Sequence, residues 1–186
     1  MKKIYYTWQD IEDACVNIAL KMYKDKWMPD YIVGITRGGN VPATILSNML
    51  GVRGEALKVS LRDNQGIQCE SNTWMSEDAF GYNNQEETGI TGARWDISLR
   101  KNILIVDDIN DSGDTFNWIK QDWESSCLPY ERGAWDSVWH KNVKFAVITE
   151  NISSKFESDY YADECNKLEE MIWQVYPWEK VGNYDV

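Results

Sequence analysis

Histidine is nearly missing from this sequence, His140 being the only one in 186 residues. The four cysteines, Cys15, Cys69, Cys127 and Cys165, are widely scattered and form no C-x-x-C pair. These absences exclude a zinc site of the usual Cys and His spacings and leave the thiols expected to be reduced. Long hydrophobic runs are absent too. No stretch approaches the ~18 apolar residues of a membrane span, and no apolar segment of signal-peptide length follows Lys2 and Lys3. A cytoplasmic location without a membrane partner is therefore expected. Basic residues are scarce, 19 against 30 acidic ones for a net charge of −11, and nowhere do they gather into a stripe. Nucleic acid is thereby excluded as a partner. The same charge repels a small polyanion, which would need a local arginine, backbone N–H groups and a divalent cation to be held.

What is present points to one globular domain over 1–186. Hydrophobic residues make up 43% and charged residues 26%, enough for a core and too balanced for disorder. Trp8, Ile11, Cys15, Ile18, Ala19 and Met22 recur at helical spacing behind Thr7-Trp8-Gln9-Asp10, a capping box with Asp as its acid. Tyr31-Ile32-Val33-Gly34-Ile35 is a short apolar run, followed by the turn residues Thr36 to Asn40 and a helical pattern over 41–50 that stops at Gly51. A second strand is expected over 55–61. Ile103-Leu104-Ile105-Val106 is the continuous β-forming run of a central parallel strand covered on both faces, with a helix over 115–123 and another buried strand over 143–149. Alternating strands and helices predict an α/β fold, a mostly parallel twisted sheet flanked by helices. Two polar excursions interrupt it, at 62–96 and 125–141. The first lacks any sustained period and reads as either a lid or an insertion, with Trp74, Phe80 and Tyr82 as anchors. The aromatic, acidic stretch at about 160–186, broken by Pro177, reads as a small C-terminal hood.

In such sheets ligands sit beyond the carboxyl ends of strands, and two strands here end in loops of suitable composition. One carries Thr36, Arg37, Gly38, Gly39 and Asn40. The other runs Asp107, Asp108, Ile109, Asn110, Asp111, Ser112, Gly113, Asp114, Thr115. Gly113 permits a tight loop, the hydroxyls of Ser112 and Thr115 add donors, and the following helix N-terminus supplies N–H groups, so the segment can enclose a phosphate. Asp107 and Asp108 at its rim suit ribose hydroxyls or magnesium. The plain alternative for the paired aspartates is an acidic turn that caps the next helix.

The segment Val106 to Thr115 resembles the phosphoribosyl-pyrophosphate motif of type I phosphoribosyltransferases. Ile35-Thr36-Arg37-Gly38-Gly39 with Val41-Pro42 is similar to the pyrophosphate loop of that family, most of all its bacterial xanthine-guanine branch. Tyr6-Thr7-Trp8, Trp173 and Pro177-Trp178-Glu179 are similar to that branch as well. The resemblance implies the type I phosphoribosyltransferase fold with its hood, and a homo-oligomer, dimer or tetramer. It implies phosphoribosyl pyrophosphate and a purine base (hypoxanthine, guanine or xanthine) as ligands, with Mg2+. It places Asp107 and Asp108 at the ribose hydroxyls and the metal, 111–115 at the 5-phosphate, and Asp111 as the catalytic base near the purine N7. Arg37 and Gly38 meet pyrophosphate, the mobile loop begins at Ser60-Leu61, and Trp173 stacks on the base with Gln174 at its edge. One departure stands out. Where purine-using members carry a lysine that reads the 6-oxo group, this chain has Glu150-Asn151, and Asn151 is expected to offer its amide instead. Asp114, an acid in a phosphate loop, is expected to point to solvent. A non-catalytic phosphoribosyl-binding regulator and a transferase for a non-purine base remain the alternatives.

Overall fold

A computed structural model describes residues 1–61, 68–69, 72–82, 95–126 and 133–180. Its centre is a parallel arrangement of β2 (Tyr31–Thr36), β3 (Arg53–Ser60), β5 (Ile103–Asn110), β6 (Val143–Asn151) and β7 (Tyr160–Cys165). The short β4 (Gln68–Cys69) adds antiparallel to β3, giving the order β4-β3-β2-β5-β6-β7. The chain reverses its direction of winding between β2 and β5, whose register pairs Tyr31 with Ile103 and Gly34 with Val106. Adjacent carboxyl ends at such a reversal open a crevice.

Alternation along each strand divides the core between the two sheet faces. Tyr31, Val33 and Ile35 of β2, Ile103 and Ile105 of β5, and Val143, Phe145 and Val147 of β6 share one cluster. Against them pack α3 (Thr73–Phe80), through Met75, Ala79 and Phe80, and α4 (Asp114–Ser126), through Phe116, Ile119 and Trp123. Ile32, Leu104, Val106, Ala146 and Ile148 point the other way. They are covered by α1 (Trp8–Lys24), through Ile11, Ala14, Cys15, Ile18 and Met22, and by α2 (Asn40–Leu50), through Ala43 and Leu46. Strands apolar on both sides are what a doubly covered parallel sheet needs, which is why 103–106 reads as an unbroken run.

The predicted capping box is formed. Thr7 accepts from the Asp10 N–H, and the Asp10 carboxylate accepts from the Thr7 N–H at 2.7 Å. Trp8, however, leaves the buried face expected of it. It is 56% exposed and tilts against Trp178 with ring centroids 6.1 Å apart.

Three other expectations change. The 62–96 excursion is not wholly irregular, because α3 lies within it and its C-terminal Phe80 is 2% exposed. Only eight residues long, α3 is too short for its period to stand out in a polar segment. The lid reading of 62–96 falls for the most part on residues outside those described. The Trp-rich 125–141 stretch gives Trp135 and Trp139 to the core, stacked at 5.2 Å. Finally, the 160–186 stretch opens with β7, an edge strand of the main sheet. Its remainder supplies β8 (Ile172–Val175), which pairs in parallel with β1 (Lys2–Tyr5) as a separate two-stranded sheet. No helix among the described residues is long and apolar enough to cross a membrane.

Candidate active site

The β2 and β5 loops meet through glycine. A Cβ on Gly38 would fall 1.9 Å from Asp108 Oδ2, and one on Gly39 would fall 2.4 Å from the Val106 carbonyl oxygen and 2.8 Å from Asp107 Cα. Only the lack of a side chain lets the Thr36 to Asn40 loop lie directly on the paired aspartates. The Thr36–Arg37 peptide bond is cis, and Arg37 is exposed beside this contact. The two loops singled out by composition thus lie in direct contact.

Asp108 is half-buried. Its Oδ1 accepts from the Ile109 N–H at 2.9 Å, while burial pushes its carboxyl pKa up and the nearby charge of Glu179 adds to that push. Asp107 accepts from the Asp108 N–H at 2.9 Å. No group of three or more His, Cys, Asp and Glu among the described residues would hold a metal by protein ligands alone. Asp107 and Asp108 are adjacent carboxylates, and carboxylate oxygens are the donors Mg2+ uses, commonly one or two of them with waters and substrate oxygens completing the shell.

The loop after β5 is shaped by Gly113, at φ +85°. A Cβ there would lie 2.7 Å from the Phe156 backbone nitrogen, so the loop is tucked against the segment after β6. The Lys155 N–H donates to the Ser112 carbonyl at 3.1 Å, closing the same contact. Ser112 Oγ donates to Asp114 Oδ2 at 2.9 Å, and Asp114 is exposed. Thr115 lies in the first turn of α4, where N–H groups without intrahelical partners favour an anion.

Two of the expected ligand contacts face elsewhere. Asn110 is 2% exposed, its Nδ2 donating to Glu150 Oε1 at 2.8 Å and to the Phe156 carbonyl at 2.6 Å, while its Oδ1 accepts from Ser154 Oγ. It braces the loop from behind. Asn151, expected to offer its amide to a base, is 5% exposed and donates from Nδ2 to the Asp111 carbonyl at 2.8 Å. The cause is strand length, since β6 runs through Asn151 and keeps Glu150 and Asn151 inside the sheet. Burial raises the Glu150 carboxyl, an effect opposed by hydrogen bonds from Ser158 and Asn110.

Trp173 is 47% exposed on β8, which leaves its ring open to solvent. Gln174 beside it is 6% exposed and donates to Cys165 Sγ at 3.3 Å, so only its backbone is open to a ligand role.

Tyr176 and Lys167 were not singled out by composition or spacing. Tyr176 stacks between Tyr6, at 5.1 Å, and Trp178, at 4.9 Å. Its hydroxyl donates to the Asp108 carbonyl at 3.1 Å and lies 3.0 Å from Thr149 Oγ1, and burial holds its pKa well above the usual phenol value. The chain's two ends thus support the back of Asp108. Tyr176→Phe is expected to cost about 1–2 kcal/mol, since it leaves a buried carbonyl and hydroxyl short of a partner. Urea denaturation monitored by circular dichroism would measure this, and an unchanged midpoint would count against the support. Lys167, in the turn after β7, places Nζ 3.0 Å from Asp111 Oδ1.

Comparison with known proteins agrees with this architecture. The chain is 26% identical to the hypoxanthine-guanine phosphoribosyltransferase of Schizosaccharomyces pombe, over 95% of this chain and 89% of that protein. It is 25% identical to xanthine phosphoribosyltransferase 1 of Saccharomyces cerevisiae, over 70% of this chain and 65% of that one. The crystal structure of a purine phosphoribosyltransferase from Pyrococcus horikoshii superimposes with a TM-score of 0.62 at 23% identity, covering 98% of this chain and 97% of that one. The phosphoribosyl transferase domain model matches residues 1–123, which include the β2 loop, the paired aspartates and the loop after β5, and the chain accordingly belongs to the phosphoribosyl transferase domain family.

Proposed function

We propose that this protein transfers the phosphoribosyl group of phosphoribosyl pyrophosphate to a 6-oxopurine, hypoxanthine, guanine or xanthine, and releases pyrophosphate. The observation that supports the reading is the seating of Gly38 and Gly39 on Asp107 and Asp108, which in this reading sets a pyrophosphate loop beside a ribose 5-phosphate loop. The names of the yeast relatives support the purine as acceptor. A cytoplasmic location and a homo-oligomer, dimer or tetramer, belong to the same reading.

In this reading the 5-phosphate lies on the Asp111 to Thr115 loop and the α4 N-terminus. The ribose hydroxyls meet Asp107 and Asp108, and Arg37 and the Gly38 backbone meet pyrophosphate. Those two carboxylates would also hold Mg2+, which when bound offsets the charge of the pyrophosphate leaving group. With the sugar clamped, the C1–pyrophosphate bond breaks through an oxocarbenium-like transition state while the purine N9 forms its bond to C1. Asp111 accepts the proton lost from N7, and Trp173 stacks on the base. Asn110 and Asn151 act from behind, holding the loop in place.

The test incubates purified protein with Mg2+, phosphoribosyl pyrophosphate and a panel of purine and pyrimidine bases, and assays nucleotide and pyrophosphate together. Formation of the 6-oxopurine nucleotides is the expected result. Turnover restricted to a pyrimidine would sink the purine assignment. Tight sugar binding with no turnover on any base would leave a non-catalytic phosphoribosyl binder.

A further inference from the structure

Helix α1 is apolar on two sides. Ile11, Ala14, Cys15, Ile18 and Met22 face the sheet and are buried, whereas Val16, Leu20 and Tyr23 are 40%, 62% and 78% exposed. At about 100° per residue these last three fall within about 60° of one another, on the side of the helix opposite the buried face. Exposed apolar residues scattered singly are ordinary. Here they make one continuous stripe at i, i+4 and i+7, and a helix apolar on opposite sides is one that is covered on both.

The charges beside the stripe say what covers it. Asp10, Glu12 and Asp13 stand exposed in the N-terminal half of α1, and Lys24 and Lys26 stand exposed at its C-terminal end. Asp25, at that same end, belongs to the buried side, where it meets the Tyr160 hydroxyl. The outer face is thus acidic at one end and basic at the other. A second copy meets it with opposite charges only when the two helices run antiparallel. The edges of the stripe agree. Asp13 and Lys24 lie on one edge, within about 20° of each other, and Glu12 and Tyr23 lie on the other. A two-fold axis perpendicular to the helices keeps each edge on its own side of the contact. Setting Val16 against Leu20 of the partner subunit then brings Asp13 to Lys24 of the partner subunit, and Glu12 to Tyr23 of the partner subunit. Asp13 is already oriented, since its Oδ1 accepts from Gln9 Nε2 at 2.9 Å. Each contact occurs twice, so a short apolar seam is closed at both ends by an ion pair. A parallel arrangement would instead set Asp13 on Asp13 and Lys24 on Lys24.

We propose that α1 is the surface through which two copies of this chain associate, antiparallel about a two-fold axis. Val16, Leu20 and Tyr23 form the seam, and Asp13 with Lys24 sets its direction. This gives the homo-oligomer of the reading above its interface, and it rests on that oligomer alone, not on the transfer chemistry. The face is about 25 Å long and about 10 Å wide. That is less than the ~800 Å² per partner of a standard interface, so the association is reversible, with a Kd in the micromolar range.

Sedimentation velocity of the full chain across the micromolar range tests this. Leu20→Glu, which sets two carboxylates into the seam, is expected to weaken one association step of the wild type by roughly 100-fold. Asp13→Lys and Lys24→Asp, which each bring like charges together, should weaken it by roughly 10-fold. The double variant Asp13→Lys with Lys24→Asp should recover wild-type association, because the pair is restored with its signs exchanged. Circular dichroism verifies that the variants are folded. A wild type that stays monomeric overturns the proposal, and so does a Leu20→Glu variant that associates as the wild type does. Charge reversals whose losses add in the double variant overturn it too, since the helices then do not meet antiparallel. A protein that associates in this way yet turns over no base overturns the functional reading and leaves the interface standing.

Discussion

Asp111→Asn is expected to slow turnover by roughly 10²- to 10⁴-fold, the range that a positioned general base contributes. The substitution is close to isosteric. An asparagine oxygen can still accept from Lys167, which lies 3.0 Å from the carboxylate, and the backbone carbonyl of residue 111 keeps its bond from Asn151. The amide cannot take up the N7 proton, so the barrier rises while the crevice keeps its form. Binding of phosphoribosyl pyrophosphate, followed by calorimetric titration, should therefore be preserved. Loss concentrated in kcat is the signature of an interaction made only in the transition state. Turnover equal to wild type would remove Asp111 from the chemistry. A parallel loss of sugar affinity would instead assign it to the phosphate cradle.

Gly39→Ala should damage binding rather than chemistry. Gly39 sits at φ −65° and ψ −20°, a conformation alanine adopts freely, so the backbone torsions are no obstacle. The obstacle is space. The added Cβ would meet the Val106 carbonyl oxygen at 2.4 Å and the Ile35 carbonyl oxygen and Asp107 Cα each at 2.8 Å. All three are main-chain atoms in adjoining strands, and no rotamer change moves them. Relief requires the β2 and β5 loops to part, which separates Arg37 and Gly38 from Asp107 and Asp108. Overpacking of this kind costs about 1–3 kcal/mol, on the order of a 10- to 100-fold loss of affinity if the strain is relieved at the crevice. Gly54→Ala is the control, since its Cβ would meet only the Ser47 side chain, at 3.3 and 3.5 Å. If Gly39→Ala bound the sugar as well as Gly54→Ala does, the close approach of the loops would have no bearing on the site.

Much of this site was legible before any fold was known. Strand, acidic pair, glycine and hydroxyls lie within one continuous segment, so local spacing alone marks it as a candidate site. The loop at Thr36 to Asn40 was legible for the same reason, as turn residues directly after an apolar strand. The roles of Asn110 and Asn151 were not. Both lie where composition suggests a ligand contact, yet each is turned inward because β5 ends at Asn110 and β6 at Asn151, a residue or more later than the apolar runs imply. Polar side chains at the end of a buried strand need partners, and here they find them in the adjoining loops. Tyr176 and Lys167 escaped notice because nothing near them in sequence marks them, their partners being Asp108 and Asp111.

By itself, then, the sequence determined the doubly covered parallel sheet, the first helix with its cap, and the two turn-forming loops after β2 and β5, because each rests on periodicity or spacing within a few residues. Tertiary structure alone decided that glycines seat one loop on the other's aspartates and that the chain's two ends pair as β1 and β8. It alone turned two asparagines inward and brought a lysine from the turn after the edge strand β7 to Asp111. Those contacts depend on strand order and register, which place remote residues side by side and which no local pattern encodes.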